Sequence, residues 1–181
     1  ITDEVRAIWD EMIVAMDNMP GVGLAAPQLG IGLALIVVDA SETRGKAVRL
    51  ANPSILHSSI EPREYEEGSP NLPFVSAKVT RPRAVTVRFL NEDGVWDRRD
   101  FVGLWATSVQ HQIDHLAGKM YIDHLSRTKR EMLVMCLPLT ITADSPQTLR
   151  SRRSTGRTTR SHFVRSSPWL IATAGGSPLR A

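Results

Sequence analysis

Residues 33–101 carry short apolar and β-branched runs separated by turn signals, flanked on both sides by stretches whose apolar positions recur every three or four residues. Helix, then several strands, then helices, with no alternation of strand and helix, confines the chain to an α+β domain of antiparallel or mixed strands. The opening helix is capped by Thr2 or Asp3 and presents Val5, Ile8, Trp9, Met12, Ile13, Met16 and Met19 on one face, with Pro20-Gly21 as its stop. A glycine-bearing loop leads to Leu33-Ala34-Leu35-Ile36-Val37-Val38, which reads as a buried strand.

Further short strands are expected at 46–51, 55–60 and 63–67. Residues 84–90 and 95–101 flank Asn91-Glu92-Asp93-Gly94, a hairpin signal. Asn52-Pro53 and Arg81-Pro82 suit strand edges or turns, because proline has no N–H to pair. Between Gly103 and Ala117 the period turns helical again, with Trp105, Val109, Ile113 and Leu116 in one row and Gly118 as the stop. A last helix is expected from Ser126 to about Cys136, whose thiol, in an apolar run, is expected in the core.

Beyond this point the chain changes character. Ser145–Ala181 holds seven Arg and no Lys, Asp or Glu, which leaves 15 basic and 19 acidic side chains, a net −4, before it. The expected division is a folded domain over 1–140 and a disordered tail rich in Arg, Ser and Thr over 141–181. A frame-shifted end of the reading frame has the same appearance. Only that tail offers a footprint for nucleic acid or an anionic surface. No run is long enough to span a membrane, and the start lacks a secretory pattern, so no membrane partner and a cytoplasmic protein of bacterial type are expected. Because the chain begins at Ile1, already in a helical pattern, an upstream segment is expected to be missing, and an organellar address stays open.

Cys136 is the single cysteine, which excludes a disulfide framework and metal sites built on paired cysteines. His111 and His115, spaced i, i+4, face one side of the predicted helix and can converge on one ion, although such a pair is also common on surfaces and in cores. His57, His124 and His162 stand apart and are expected to be structural or solvent-exposed.

Three segments carry a resemblance. Gly21-Val22-Gly23-Leu24-Ala25-Ala26-Pro27-Gln28, Glu67-Gly68-Ser69-Pro70-Asn71 and Gln110-His111-Gln112-Ile113-Asp114-His115-Leu116-Ala117-Gly118 are similar, in order and spacing, to the three motifs of the peptide deformylases. The chain is identified as a member of that family over roughly residues 1–136, with Val79-Thr80-Arg81-Pro82 aligning the second motif without a gap.

The resemblance implies antiparallel or mixed strands packed around a central helix bearing the His111/His115 pair, preceded in the family by a further N-terminal strand. It implies metal-dependent removal of the formyl group from N-formylmethionyl peptides, with Fe2+ or Zn2+ as cofactor, nascent-chain N-termini as partners and a monomeric enzyme. Carried onto this chain, the ligand positions are Ser69, His111 and His115, the general-base position is Gln112, and the oxyanion donors are Gln28 and the backbone N–H of residue 70. Leu104, Thr107 and Ser108 would line the methionine pocket, Val22 and Gly23 would also bind substrate, and Arg81 or Arg83 would clamp Asp114.

Three of these positions depart from the family. Its second motif reads Glu-Gly-Cys-Leu-Ser, and the Ser69 hydroxyl is a neutral, poor donor where the family has a thiolate. Gln112 is an amide where the family has glutamate, and an amide does not accept a proton from water. Pro70 has no N–H to donate. Weak or absent metal binding and impaired catalysis are therefore expected. The alternatives are a working hydrolase that recruits Glu66 or Glu67 as ligand or base, and a non-catalytic peptide- or anion-binding protein.

Overall fold

The computed structural model describes residues 1–19 and 21–137. The expected tail over 141–181, the boundary at 140, Pro20 and His162 lie outside the described residues. Helix α1 spans Asp3–Asp17; Thr2 caps it by accepting from Val5 N at 3.4 Å, and Asp3 and Glu4 sit at its positive end.

The expected glycine-bearing loop is instead a short strand, β1 (Gly23–Ala25), followed by a 3-10 turn over Ala26–Leu29. Strand β2 spans Leu35–Val38, β3 Val48–Ser58, β4 Pro62–Ser69, β5 Leu72–Pro82, β6 Ala84–Leu90 and β7 Trp96–Val102. Helix α2 (Leu104–Leu116) follows, entered through Gly103 at φ 63°, and then a 3-10 turn over Tyr121–His124 and helix α3 (Arg127–Met135).

The strands form a five-stranded sheet in the order β1-β2-β3-β6-β7 and a two-stranded sheet of β4 and β5. Every pairing is antiparallel. Two expected short strands, 46–51 and 55–60, are one: β3 runs through Asn52-Pro53 because a register shift between Ala51 and Ser54, with Asn52 at φ 48°, places the proline in a bulge where no ladder donor is needed. Strand β5 was not anticipated. Arg81-Pro82 ends it, and its inward residues Val75, Ala77 and Val79 alternate with exposed Ser76, Lys78 and Thr80.

The five-stranded sheet is covered on both faces. On one, Trp9, Met12 and Met16 of α1 pack with Leu24, Leu35, Val37 and Ala51; on the other, Ala106 and Val109 of α2 pack with Ala25, Ile36, Val38, Leu50, Val85, Val87, Phe89 and Phe101. Alternate residues of β2 therefore serve opposite layers, which is why its sequence is apolar without a break. Trp105, Ile113 and Leu116 pack at the rim of the α2 layer, as their spacing predicts. Helix α3 buries no residue, so the apolar run containing Cys136 lies outside the core and its thiol is exposed, contrary to the expectation of a core cysteine.

Candidate active site

Helix α2 is buried on most of its circumference, with the polar residues Thr107, Ser108, Gln110, His111, Gln112 and His115 among its buried side chains. Gln110 is accounted for by the chain itself, donating to Pro82 O at 3.0 Å and Ala106 O at 2.9 Å. The histidines are different, because their Nε2 atoms converge to 3.0 Å with the rings 4.7 Å apart at 74°.

His111 is oriented from behind. Its Nδ1 lies 2.8 Å from Glu67 Oε2, and its ring stacks on Tyr121 at 6.2 Å. Glu67 is in turn held by Arg81, through Nε at 2.6 Å and Nη2 at 3.0 Å. Arg81 Nη1 reaches Asp114 Oδ2 at 2.7 Å, and His124 Nε2 meets the same oxygen at 2.7 Å. Of the two arginines open from sequence, Arg81 is thus the clamp, while Arg83 pairs with Glu61. His124 belongs to the chain of contacts; His57 is exposed and apart from it.

Burial by itself raises the Glu67 carboxyl, but hydrogen bonds and charge from His111 and Arg81 outweigh it and hold the group below its usual range. For His115, burial, reinforced by His111 and Arg81 and opposed by Asp114 and Glu67, pushes the value down to about 4. Burial, with Glu67 nearby, also raises the Tyr121 phenol, whose hydroxyl donates to Val75 O at 3.0 Å.

The turn between β4 and β5 delivers the third corner. Ser69 Oγ lies 3.4 Å from His115 Nε2 and donates to Asn71 Oδ1 at 3.1 Å, which Gln28 Nε2 also reaches at 2.8 Å. Ser69, His111, His115 and Gln28 are thus drawn into one network, with Pro70 at its edge beside Gln28. Gln112 and Ser108 lie against Gly23, where a Cβ would stand 2.6 Å from Ser108 Oγ and 2.9 Å from Gln112 Nε2. Only glycine admits that approach. Ser108 Oγ donates to Val22 O at 2.9 Å, Thr107 Oγ1 bonds back to Gly103 O at 3.3 Å, and Leu104 stays partly exposed.

The donor set at the converging Nε2 atoms is two imidazoles and a neutral hydroxyl. Among the described residues, no group of three or more His, Cys, Asp or Glu side chains is arranged to hold a metal ion. Neither carboxylate proposed as a substitute is placed for it. Glu67 faces the Nδ1 side of His111, away from the converging Nε2 atoms, and Glu66, on an exposed stretch of β4, accepts from Ser76 Oγ at 2.6 Å. Asn71 is the site residue to which sequence reasoning gave no role; its place as the last residue of the second motif segment, in a Pro-Asn turn, was the available signal.

Comparison with known proteins gives the family. Residues 1–131 match the family described as polypeptide deformylase. The peptide deformylase of Caulobacter vibrioides is 44% identical over 133 residues, covering 72% of this chain and 77% of the relative. That of Hydrogenovibrio crunogenus is 44% identical over 130 residues, covering 72% and 76%. Among solved structures, the Legionella pneumophila peptide deformylase superposes with a TM-score of 0.69 at 35% identity, covering 74% of this chain and 79% of that one. The Synechococcus elongatus enzyme in complex with actinonin gives 0.69 at 33%, covering 74% of each. With the family model matching residues 1–131, relatives 44% identical over most of their length and solved structures of the same fold, the chain belongs to the peptide deformylase family.

Proposed function

We propose that this chain retains the family's cleft for N-formylmethionyl peptides but removes the formyl group weakly or not at all. The observation that carries this reading is the position of Ser69: the residue beside the converging histidines is a hydroxyl whose proton goes to Asn71 Oδ1. Such a corner offers no anionic ligand, so iron or zinc would be held weakly. Gln112 compounds the loss, since general-base catalysis contributes roughly 10²–10⁴ in rate. Pro70 has no backbone N–H to offer the oxyanion, a loss of about 10²–10³ where single donors have been deleted without replacement.

Leu104, Thr107 and Ser108 would receive the methionine side chain, Val22 and Gly23 would also bind the peptide, and Gln28 would donate to the formyl oxygen. The partners would be N-termini of nascent chains, met in the cytoplasm by a monomer. A working hydrolase built on Glu66 or Glu67 has less support, because each carboxylate is already bonded elsewhere.

The test is formyl release from an N-formylmethionyl tripeptide, with iron or zinc supplied. Ser69→Cys or Gln112→Glu alone should recover little, since each leaves the other defect in place. The triple change Ser69→Cys, Pro70→Leu and Gln112→Glu should give measurable turnover. Substantial turnover by the unaltered chain would overturn the reading.

A further inference from the structure

We infer that Asn71 is a substrate-binding residue whose side-chain amide, latched to that of Gln28, supplies the carbonyl-oxygen donor that Pro70 lacks. The inference rests on the peptide-binding reading above and adds a residue that none of the motif roles covers. Gln28 is oriented before any ligand arrives: Ala25 N donates to its Oε1 at 2.9 Å, which turns Nε2 outward to Asn71 Oδ1 at 2.8 Å. Asn71 Oδ1 also takes the Ser69 hydroxyl at 3.1 Å, and the Asn71 backbone N–H donates back to Ser69 Oγ at 3.3 Å.

With Oδ1 occupied by two donors, the group Asn71 has left to offer is its Nδ2 amide, and Gln28 keeps the second hydrogen of Nε2. Two carboxamide donors therefore stand side by side at a cavity of about 150 Å3 whose other walls are Met19, Leu24, Leu29 and Pro70. Neutral donors against apolar walls suit an uncharged acyl oxygen better than a carboxylate. No guanidinium lines the cavity, and Arg81, the buried one held by the site, is taken up by Glu67 and Asp114. The ligand class is thus the carbonyl of an N-acylated peptide terminus, held between two amides whose mutual bond fixes their orientation in advance.

The test is calorimetric titration of the protein with an N-formylmethionyl tripeptide and with its N-thioformyl analogue, whose sulfur accepts hydrogen bonds poorly. Asn71→Ala should weaken the formyl peptide by about three- to tenfold, the worth of one neutral hydrogen bond, and leave the thioformyl peptide unchanged. Asn71→Asp, equal in shape but lacking the amide donor, should lose at least as much. Adding Pro70→Ala to Asn71→Ala restores a backbone N–H and should recover most of the loss. No loss in Asn71→Ala, equal loss for both ligands, or no recovery with Pro70→Ala would each overturn the inference while leaving peptide binding standing. Failure of the unaltered protein to bind the formyl peptide would overturn both.

Discussion

Glu67 Oε2 approaches His111 Nδ1 at 2.8 Å, on the opposite side of the imidazole from the Nε2 that faces His115. A carboxylate only accepts, so Nδ1 carries a hydrogen, and in a neutral ring the Nε2 facing His115 is then the acceptor. The arrangement fixes a tautomer, and Arg81 fixes the carboxylate. Glu67→Gln would leave the buried Arg81 guanidinium with Asp114 as its remaining anionic partner, and loss of one member of such a buried pair costs about 3 kcal/mol. Urea unfolding should show that drop, and an unchanged midpoint would show that the pair adds nothing.

Acid should weaken the fold in two stages. His115 falls from 6.5 to about 4 on folding, chiefly through burial, so the folded state resists a proton that the unfolded chain accepts. Its contribution is complete above pH 6.5 and is lost as pH falls toward about 4. Glu67, held below its ordinary 4.5, adds a loss that begins as pH falls through that value. The urea midpoint should therefore be level above neutrality and decline below pH 6.5, with His115→Gln removing the upper part of the decline. A profile of the unaltered protein that stays flat to pH 4.5 would refute this assignment.

Among the described residues, Gln112 Oε1 is buried with no hydrogen-bond partner. An acceptor in that condition costs about 1–3 kcal/mol, so Gln112→Met, similar in volume and without a carbonyl, should raise stability by about 1 kcal/mol. Gly23→Ala should act in the opposite sense, since its Cβ would press on Ser108 Oγ at 2.6 Å, and overpacking of this kind costs about 1–3 kcal/mol. Thermal melts of the two variants should move apart; a lower melting temperature for Gln112→Met would show that the amide is doing something the apolar side chain cannot replace.

Metal content offers a separate check. Purified without chelator, the protein should carry substoichiometric iron or zinc that dialysis removes, and Ser69→Cys should retain more. One firmly held equivalent per chain would contradict the reading of Ser69.

Trp9 is fully buried against the α1 face of the sheet. Trp9→Ala should cost about 3–5 kcal/mol, the range for emptying an aromatic site in a core. A loss under about 1 kcal/mol would mean that α1 contributes little to the fold.

The parts of the fold legible in the sequence were those where burial dictates the pattern. Leu35–Val38 is covered on both faces and reads as an unbroken apolar run; α2 rests Val109, Ile113 and Leu116 toward one layer and reads as a helix. Strand β5 was missed because its outward residues are polar and Pro82 invites a turn, although its alternation was present. The break placed at Asn52-Pro53 failed because a bulge lets the strand pass a proline. At the site, residue type and spacing pointed to His111 and His115, whose Nε2 atoms converge, whereas Ser69 and Gln28 came from the motif resemblance alone. What Glu67 and Asn71 touch depends on the β4-β5 turn and on Arg81 arriving from a second strand, and local spacing does not encode either.

Ser69 and Pro70 sit at the tip of the two-stranded sheet, and neither belongs to the apolar clusters flanking the larger one. At this hairpin tip, unlike at Glu67 or His115, the residues placed for chemistry are not ones that hold the fold together. Changes at the hairpin tip can accumulate with little penalty in folding, so selection for a stable protein alone would not detect them, and a lineage could keep its architecture intact while its reaction faded.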